Sequence, residues 1–220
     1  LNLTFTGNGF LKMRPQDENN PSISGLTPSY SGMLTLGSWN TNGKPFAVAK
    51  QILGGGSGTD TDPFLIGCPT YENNWRNDLD NFRIYVNIGL VDGQYFKVDN
   101  SYQQIDLTSY SNLIPIGTIE HPFNGVFEGA NIPISLNVTL NSETGYNGLF
   151  GVVTGGTLRK LKLANCTFSK GDCVGAIVGC LRGGLIEDCV VSSCTMTSGN
   201  AQNVTVGGIA GKAQLGTIQN

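Results

Sequence analysis

Apolar and polar positions alternate along much of the chain, and glycines break the alternation at regular intervals. Three stretches between Tyr146 and Ile218 carry the same pattern in order: YNGLFGVVTGGTL, VGAIVGCLRGGLI and VGGIAGKAQLGTI. Gly151, Gly179 and Gly211 share one column, 28 and 32 residues apart, and Gly156, Gly184 and Gly216 share another. Self-similarity at such a period marks units that stack on one another. The apolar runs Leu149-Phe150, Ile177-Val178 and Ile209-Ala210 are too short for helices and read as strands bounded by glycine. A glycine at a fixed place in every unit predicts a corner, where the backbone needs positive φ or approaches the next coil closely.

A second strand follows each corner, Leu158 to Leu163 in one unit and Ile186 to Val191 in the next, with polar and charged residues interleaved among apolar ones. Farther along, Cys166 aligns with Cys194 and Phe168 with Met196, so an inward column continues through a third short strand. Like residues then lie over like residues about 4.8 Å apart, the spacing of hydrogen-bonded strands. The pattern predicts an all-β chain built as a right-handed parallel β-helix. A propeller needs four-stranded antiparallel blades and other signatures at this period.

Trp75, Leu79, Phe82 and Val86 form the one clear amphipathic helical stripe, in NNWRNDLDNFRIYVN. An open coil end leaves unpaired backbone and an exposed core, so this helix is predicted to cap the N-terminal end. Residues 1–52 lack the repeat and read as a small β-rich segment, joined to the rest through GGGSGTD. The predicted organisation is that segment followed by the β-helix over 53–220, with a lead-in and cap region at 53–140 and repeats at 146–220.

These residues resemble the GLUG repeat of bacterial and protist surface proteins. NGLFG (147–151) is close to the family's signature, and upstream GSGTDTDPFLI (56–66), GQYFKVDNSYQQIDL (93–107), IPIGT (114–118) and FNGVFEGANIPISLNVTL (123–140) are similar to its leading segments, in the usual order. The resemblance spans roughly residues 54–220. Ala130-Asn131-Ile132-Pro133 stands where the family commonly has a Gly-His-x-Ile turn. What the resemblance implies is a secreted or surface-anchored protein, often adhesive, with no shared catalytic residues.

Of 220 residues 13% are charged, and the net charge is −3 with no basic run, which argues against nucleic acid or an anionic membrane surface as partner. No apolar stretch approaches the roughly 18 residues of a membrane span. The sequence starts without methionine and stops inside a repeat, so it is expected to be a piece of a longer protein. Four Asn-x-Thr sequons, at Asn2, Asn137, Asn165 and Asn203, are candidate glycosylation sites. Parity points Asn137 outward, places Asn165 near a bend and puts Asn203 in the insertion that lengthens the last unit.

Six cysteines and one histidine, His121, contain no CxxC pair, so no metal site is predicted. Cys189 aligns with Leu161 and reads as a core residue. Cys166 and Cys194 either stack as free thiols or join as an axial disulfide. Cys173 and Cys180 flank a strand and cannot bridge each other if it is extended. Glu187 and Asp188 are adjacent in a strand and face opposite ways, which removes them as a carboxylate pair. Asp60, Asp62, Asp99 and Asp106 lack the spacing of a calcium loop and read as turn caps.

No catalytic residue and no cofactor is predicted. The chain is expected to be a non-enzymatic extracellular or cell-surface structural or adhesive module, glycoprotein-like, whose open C-terminal rung builds a rod or filament by strand addition. Its expected partners are other surface or extracellular proteins, glycans, or further copies of itself. Two alternatives are a carbohydrate-binding or carbohydrate-active β-helix and an accessory region of a large secreted peptidase.

Overall fold

The computed structural model describes residues 56–67, 75–110, 113–140, 142–143, 145–199 and 202–220. The segment predicted over 1–52, with Asn2, lies outside the described residues, as do Cys68 and the Trp75 side chain. From Phe64 onward the chain winds as a parallel β-solenoid of about 5 turns with one short helix. Its first wall is a six-stranded parallel sheet of Phe64–Ile66, Tyr95–Val98, Val126–Glu128, Thr157–Arg159, Leu185–Glu187 and Thr217–Gln219. Successive members come from successive coils.

Strict register produces columns. Phe64, Phe96, Phe127, Leu158, Ile186 and Ile218 lie one over another on the inner face of this wall. A second wall stacks Ile105, Ile134, Leu163 and Val191, and beside it Leu113, Val138, Phe168 and Met196 form another column. The repeats supply the remaining walls: Ile116, Phe150, Val178 and Ala210 share a column, as do Phe123, Val153, Leu181 and Ala213. The three homologous runs do lie on joined coils, since Ile177 N donates to Ile209 O at 3.0 Å. Inward apolar side chains of the middle coils thus meet apolar neighbours above and below, at a return of roughly 25 cal/mol per Å² removed from water.

The corner glycines work differently from a simple positive-φ reading. Gly151, Gly179 and Gly211 lie between register-paired neighbours within the strands Phe150–Thr154, Val178–Arg182 and Ala210–Gln214, and none has positive φ. What they provide is close approach: a Cβ on Gly179 meets Asn147 N and the Tyr146 carbonyl carbon, both at 2.7 Å. Left-handed backbone occurs one residue before the second glycine column, at Gly155, Gly183 and Leu215 (φ 70°, 71° and 59°), and in that column at Gly184 (φ 93°). Two further corners recur at the coil period with side chains present, at Lys160 and Asp188 and at Asn165 and Ser193. Asp188 therefore sits in a turn after the strand ending at Glu187. The FEG segment turns through left-handed Ala130 and Asn131, which gives the turn without the family's usual residues.

Alignment by sequence also slips at one place. Tyr146 pairs with Cys173 and Asn147 with Val174, whereas Phe150 pairs with Val178, so the bend at Gly175-Ala176-Ile177 absorbs one extra residue. The same bend separates Cys173 from Cys180 into two strands.

Helix α1 (Trp75–Asn87) buries Leu79, Phe82, Tyr85 and Val86 against the first coils. Phe82 is fully buried among Phe96, Phe127, Phe123 and Phe150, with ring centroids 4.5 to 6.3 Å away. At the helix C-terminus the Asn87 amide imitates a strand: Nδ2 donates to Pro115 O (3.3 Å) and Oδ1 accepts from Gly117 N (2.7 Å). At the other end Asp78 Oδ2 accepts from Gly67 N at 2.7 Å. The helix therefore covers apolar core and takes one strand's place beside Pro115 and Gly117, at the N-terminal end of the stack.

Gly179→Ala is expected to cost about 1–3 kcal/mol through forced separation of coils, and Gly208→Ala, where a Cβ meets nothing within 4 Å, to stay within roughly 0.5 kcal/mol. Denaturant unfolding of the two variants checks this; equal costs would contradict the stacking role.

Candidate functional site

Outward positions of the first wall stack as strictly as inward ones, and there the columns are charged. Lys97, Glu128, Arg159 and Glu187 lie one over another on four successive coils, alternating in sign. Arg159 reaches Glu128 Oε2 with Nη2 at 2.9 Å, while Lys97 and Lys160 place Nζ 3.6 and 3.4 Å from Oε1. One carboxylate thereby ties cations from two neighbouring coils. Burial works against the charge on Glu128, but Lys97, Lys160 and Arg159 outweigh it and hold the carboxyl below the usual glutamate range.

Above this column the turn at 57–62 closes on itself, with Ser57 N, Gly58 N and Thr59 N all donating to Asp62 O. Between turn and wall lies a polar cleft of about 200 Å³, lined by Asp60, Thr61, Tyr95, Lys97, Glu128 and Arg159 among others. Sequence reading missed this cluster. The signal was present, since Lys97, Glu128 and Arg159 recur at intervals of 31 residues, but the obvious repeat begins only at Tyr146.

Of the four aspartates considered as ligands, Asp99 and Asp106 cap turns with their side chains, while Asp62 serves its turn through its backbone carbonyl. Asp99 Oδ1 accepts from Ser101 N (2.9 Å) and from the Ser101 hydroxyl, and Asp106 Oδ1 accepts from Thr108 N (2.9 Å) and Oγ1 (2.7 Å). The Thr108 hydroxyl and amide hold the Asp106 carboxyl below its ordinary value. Among the described residues no three His, Cys, Asp or Glu side chains are grouped to hold a metal ion.

The sequon asparagines divide into two kinds. Asn165 and Asn203 are exposed and adopt left-handed φ of 56° and 65°, so both project from turns. Asn137 is half-buried in the strand Pro133–Thr139, where its Nδ2 donates to Thr108 O at 3.0 Å and Thr139 Oγ1 bonds Ser169 Oγ at 3.0 Å. Cys166 and Cys194 stack on adjacent coils as free thiols, with Cys194 Sγ accepting from Cys166 N at 3.4 Å. Cys189 is buried as a core side chain.

The two ends of the stack differ sharply. At the C-terminal end Val190–Ser192, Thr195–Thr197, Thr205–Gly207, Ala210–Gln214 and Thr217–Gln219 each pair on one side only, with the preceding coil. The inner columns surface here: Ile218 is 43% exposed and Val206 49%, where Ile186 and Val174 one coil earlier are 0%. The arrangement is a parallel edge with apolar inward positions exposed. Among the described residues no helix is long and apolar enough to cross a membrane. The chain matches no family model, no curated protein and no solved structure.

Because Glu128 has a depressed folded-state pKa, its contribution to stability is fully present above the unfolded value near 4.3 and is lost as pH falls through the folded value. Between about pH 5 and pH 3 the melting temperature of the parent chain is expected to fall more steeply than that of Glu128→Gln. Parallel profiles would contradict the ion-pair role.

Proposed function

We propose that this chain is an extracellular or cell-surface structural module, adhesive in use, that extends by adding a coil at its C-terminal rung. The observation that carries the reading is how differently the core is covered at the two ends: α1 packs Phe82 over it at one, and the other leaves five strands paired on one side with Val206 and Ile218 exposed. An apolar, regularly spaced edge is a template for strand addition. The occupant that fits is a coil of the same period, from the same protein or from a neighbour, because only such a coil continues the columns. Exposed sequons at Asn165 and Asn203 and the resemblance to GLUG repeats of surface proteins support the extracellular part of the reading. A rod of this kind spaces and presents whatever it carries.

Sedimentation at low and high concentration tests the assembly step. Mass-dependent association is expected for the parent chain and its loss in the pair Val206→Lys with Ile218→Lys, which puts charge on the edge; a strict monomer throughout would overturn it.

The cleft favours a second reading, glycan binding on the first wall, since Tyr95 offers a ring beside Lys97, Arg159 and Asp60. Glycan-array binding that is abolished by Tyr95→Ala is the expected outcome under that reading, and an array without signal removes it.

A further inference from the structure

We propose that Cys166 and Cys194 form a redox-responsive modification site, closed by low-molecular-weight disulfides into an axial bond that staples the terminal rung to the coil beneath it. Among the described cysteines this is the one pair at equivalent positions of adjacent coils, fixed by the pairing of Thr167 with Thr195 immediately after them. Cys173 stacks instead between Tyr146 and Thr205, and Cys180 between Val152 and Lys212. Cys189 precedes Val190, which pairs with Lys162, so it lies over Leu161.

The geometry suits closure. Neighbouring coils hold backbones about 4.8 Å apart, inside the Cα separation of roughly 4.4–6.8 Å that a disulfide spans. Left-handed Asn165 and Ser193 (φ 56° and 51°) precede the two cysteines, so matching corners launch both side chains in the same direction. Cys194 Sγ already leans back toward the preceding coil, 3.4 Å from Cys166 N.

The two thiols divide the work by exposure. Cys166 is 1% exposed, its Sγ directed at Ile134 O at 3.4 Å, and burial, with Cys194 beside it, pushes its pKa up to about 12. Cys194 is half-buried on the outermost rung and is the thiol that solvent reaches. As thiolate it attacks one sulfur of the small disulfide; that S–S bond breaks and one small thiol leaves. Cys166 then attacks Cys194 Sγ and gives up its proton, and the mixed S–S bond breaks to release the second small thiol. Two protein thiols are oxidised by two electrons, and the reagent is reduced to two thiols.

Closure would bridge residues 28 apart and pin the rung on which Val191 and Met196 are only partly covered. In-register parallel side chains meet at an imperfect angle for a disulfide, and strained bonds of this kind are readily reduced again. The site therefore responds in both directions.

Oxidised glutathione is the probe. Treatment of the chain should remove two thiols, give a peptide linked through Cys166 and Cys194, and raise the melting temperature by about 5 °C, all reversed by dithiothreitol. In Cys166→Ala the reaction should stop at a glutathione adduct on Cys194, while Cys194→Ala should form neither adduct nor link at Cys166. A persistent Cys194 adduct in the parent chain, links between other cysteines, or no reaction would each overturn the proposal.

Discussion

The hydrogen-bonded spacing between coils governs this molecule. Once parallel backbones are fixed about 4.8 Å apart, every side chain is placed over its equivalent in the next coil, and sequence must comply column by column. Apolar columns such as Phe96, Phe127, Leu158 and Ile186 follow on the inside, and the alternating column of Lys97, Glu128, Arg159 and Glu187 follows on the outside. Like charges directly stacked at this spacing would repel. The same constraint excludes any Cβ at Gly179, because the backbone of the preceding coil already occupies the space.

That constraint explains how much was legible in the sequence. The repeat from Tyr146 onward, its inward columns and the helical stripe of α1 were readable because periodicity of burial is written directly into residue type. The role of the glycine columns was only half readable. A glycine signals either positive φ or close approach, and only the register shows that Gly151, Gly179 and Gly211 serve the second while Lys160, Asn165, Asp188 and Ser193 take left-handed backbone with side chains in place. The slip of one residue at Gly175-Ala176-Ile177 was likewise invisible, because a bend absorbs it without changing the apolar pattern. The Glu128 cluster escaped because its members come from coils upstream of the recognisable repeat and are linked only through their shared column.

The two ends of the stack differ in what covers the core. At the N-terminal end, Phe82 fills the core and the Asn87 amide substitutes for a strand beside Pro115 and Gly117. At the C-terminal end the columns end at Val206 and Ile218 in solvent. Cys194 lies on that terminal rung and Cys166 on the coil beneath it.

Backbone NOEs across the repeats test the stacking most directly. The account predicts short interstrand contacts among the backbones of Phe150, Val178 and Ala210, and separately among Leu158, Ile186 and Ile218, in the parallel pattern and in that order. Antiparallel contacts, or none between Val178 and Ala210, would contradict it.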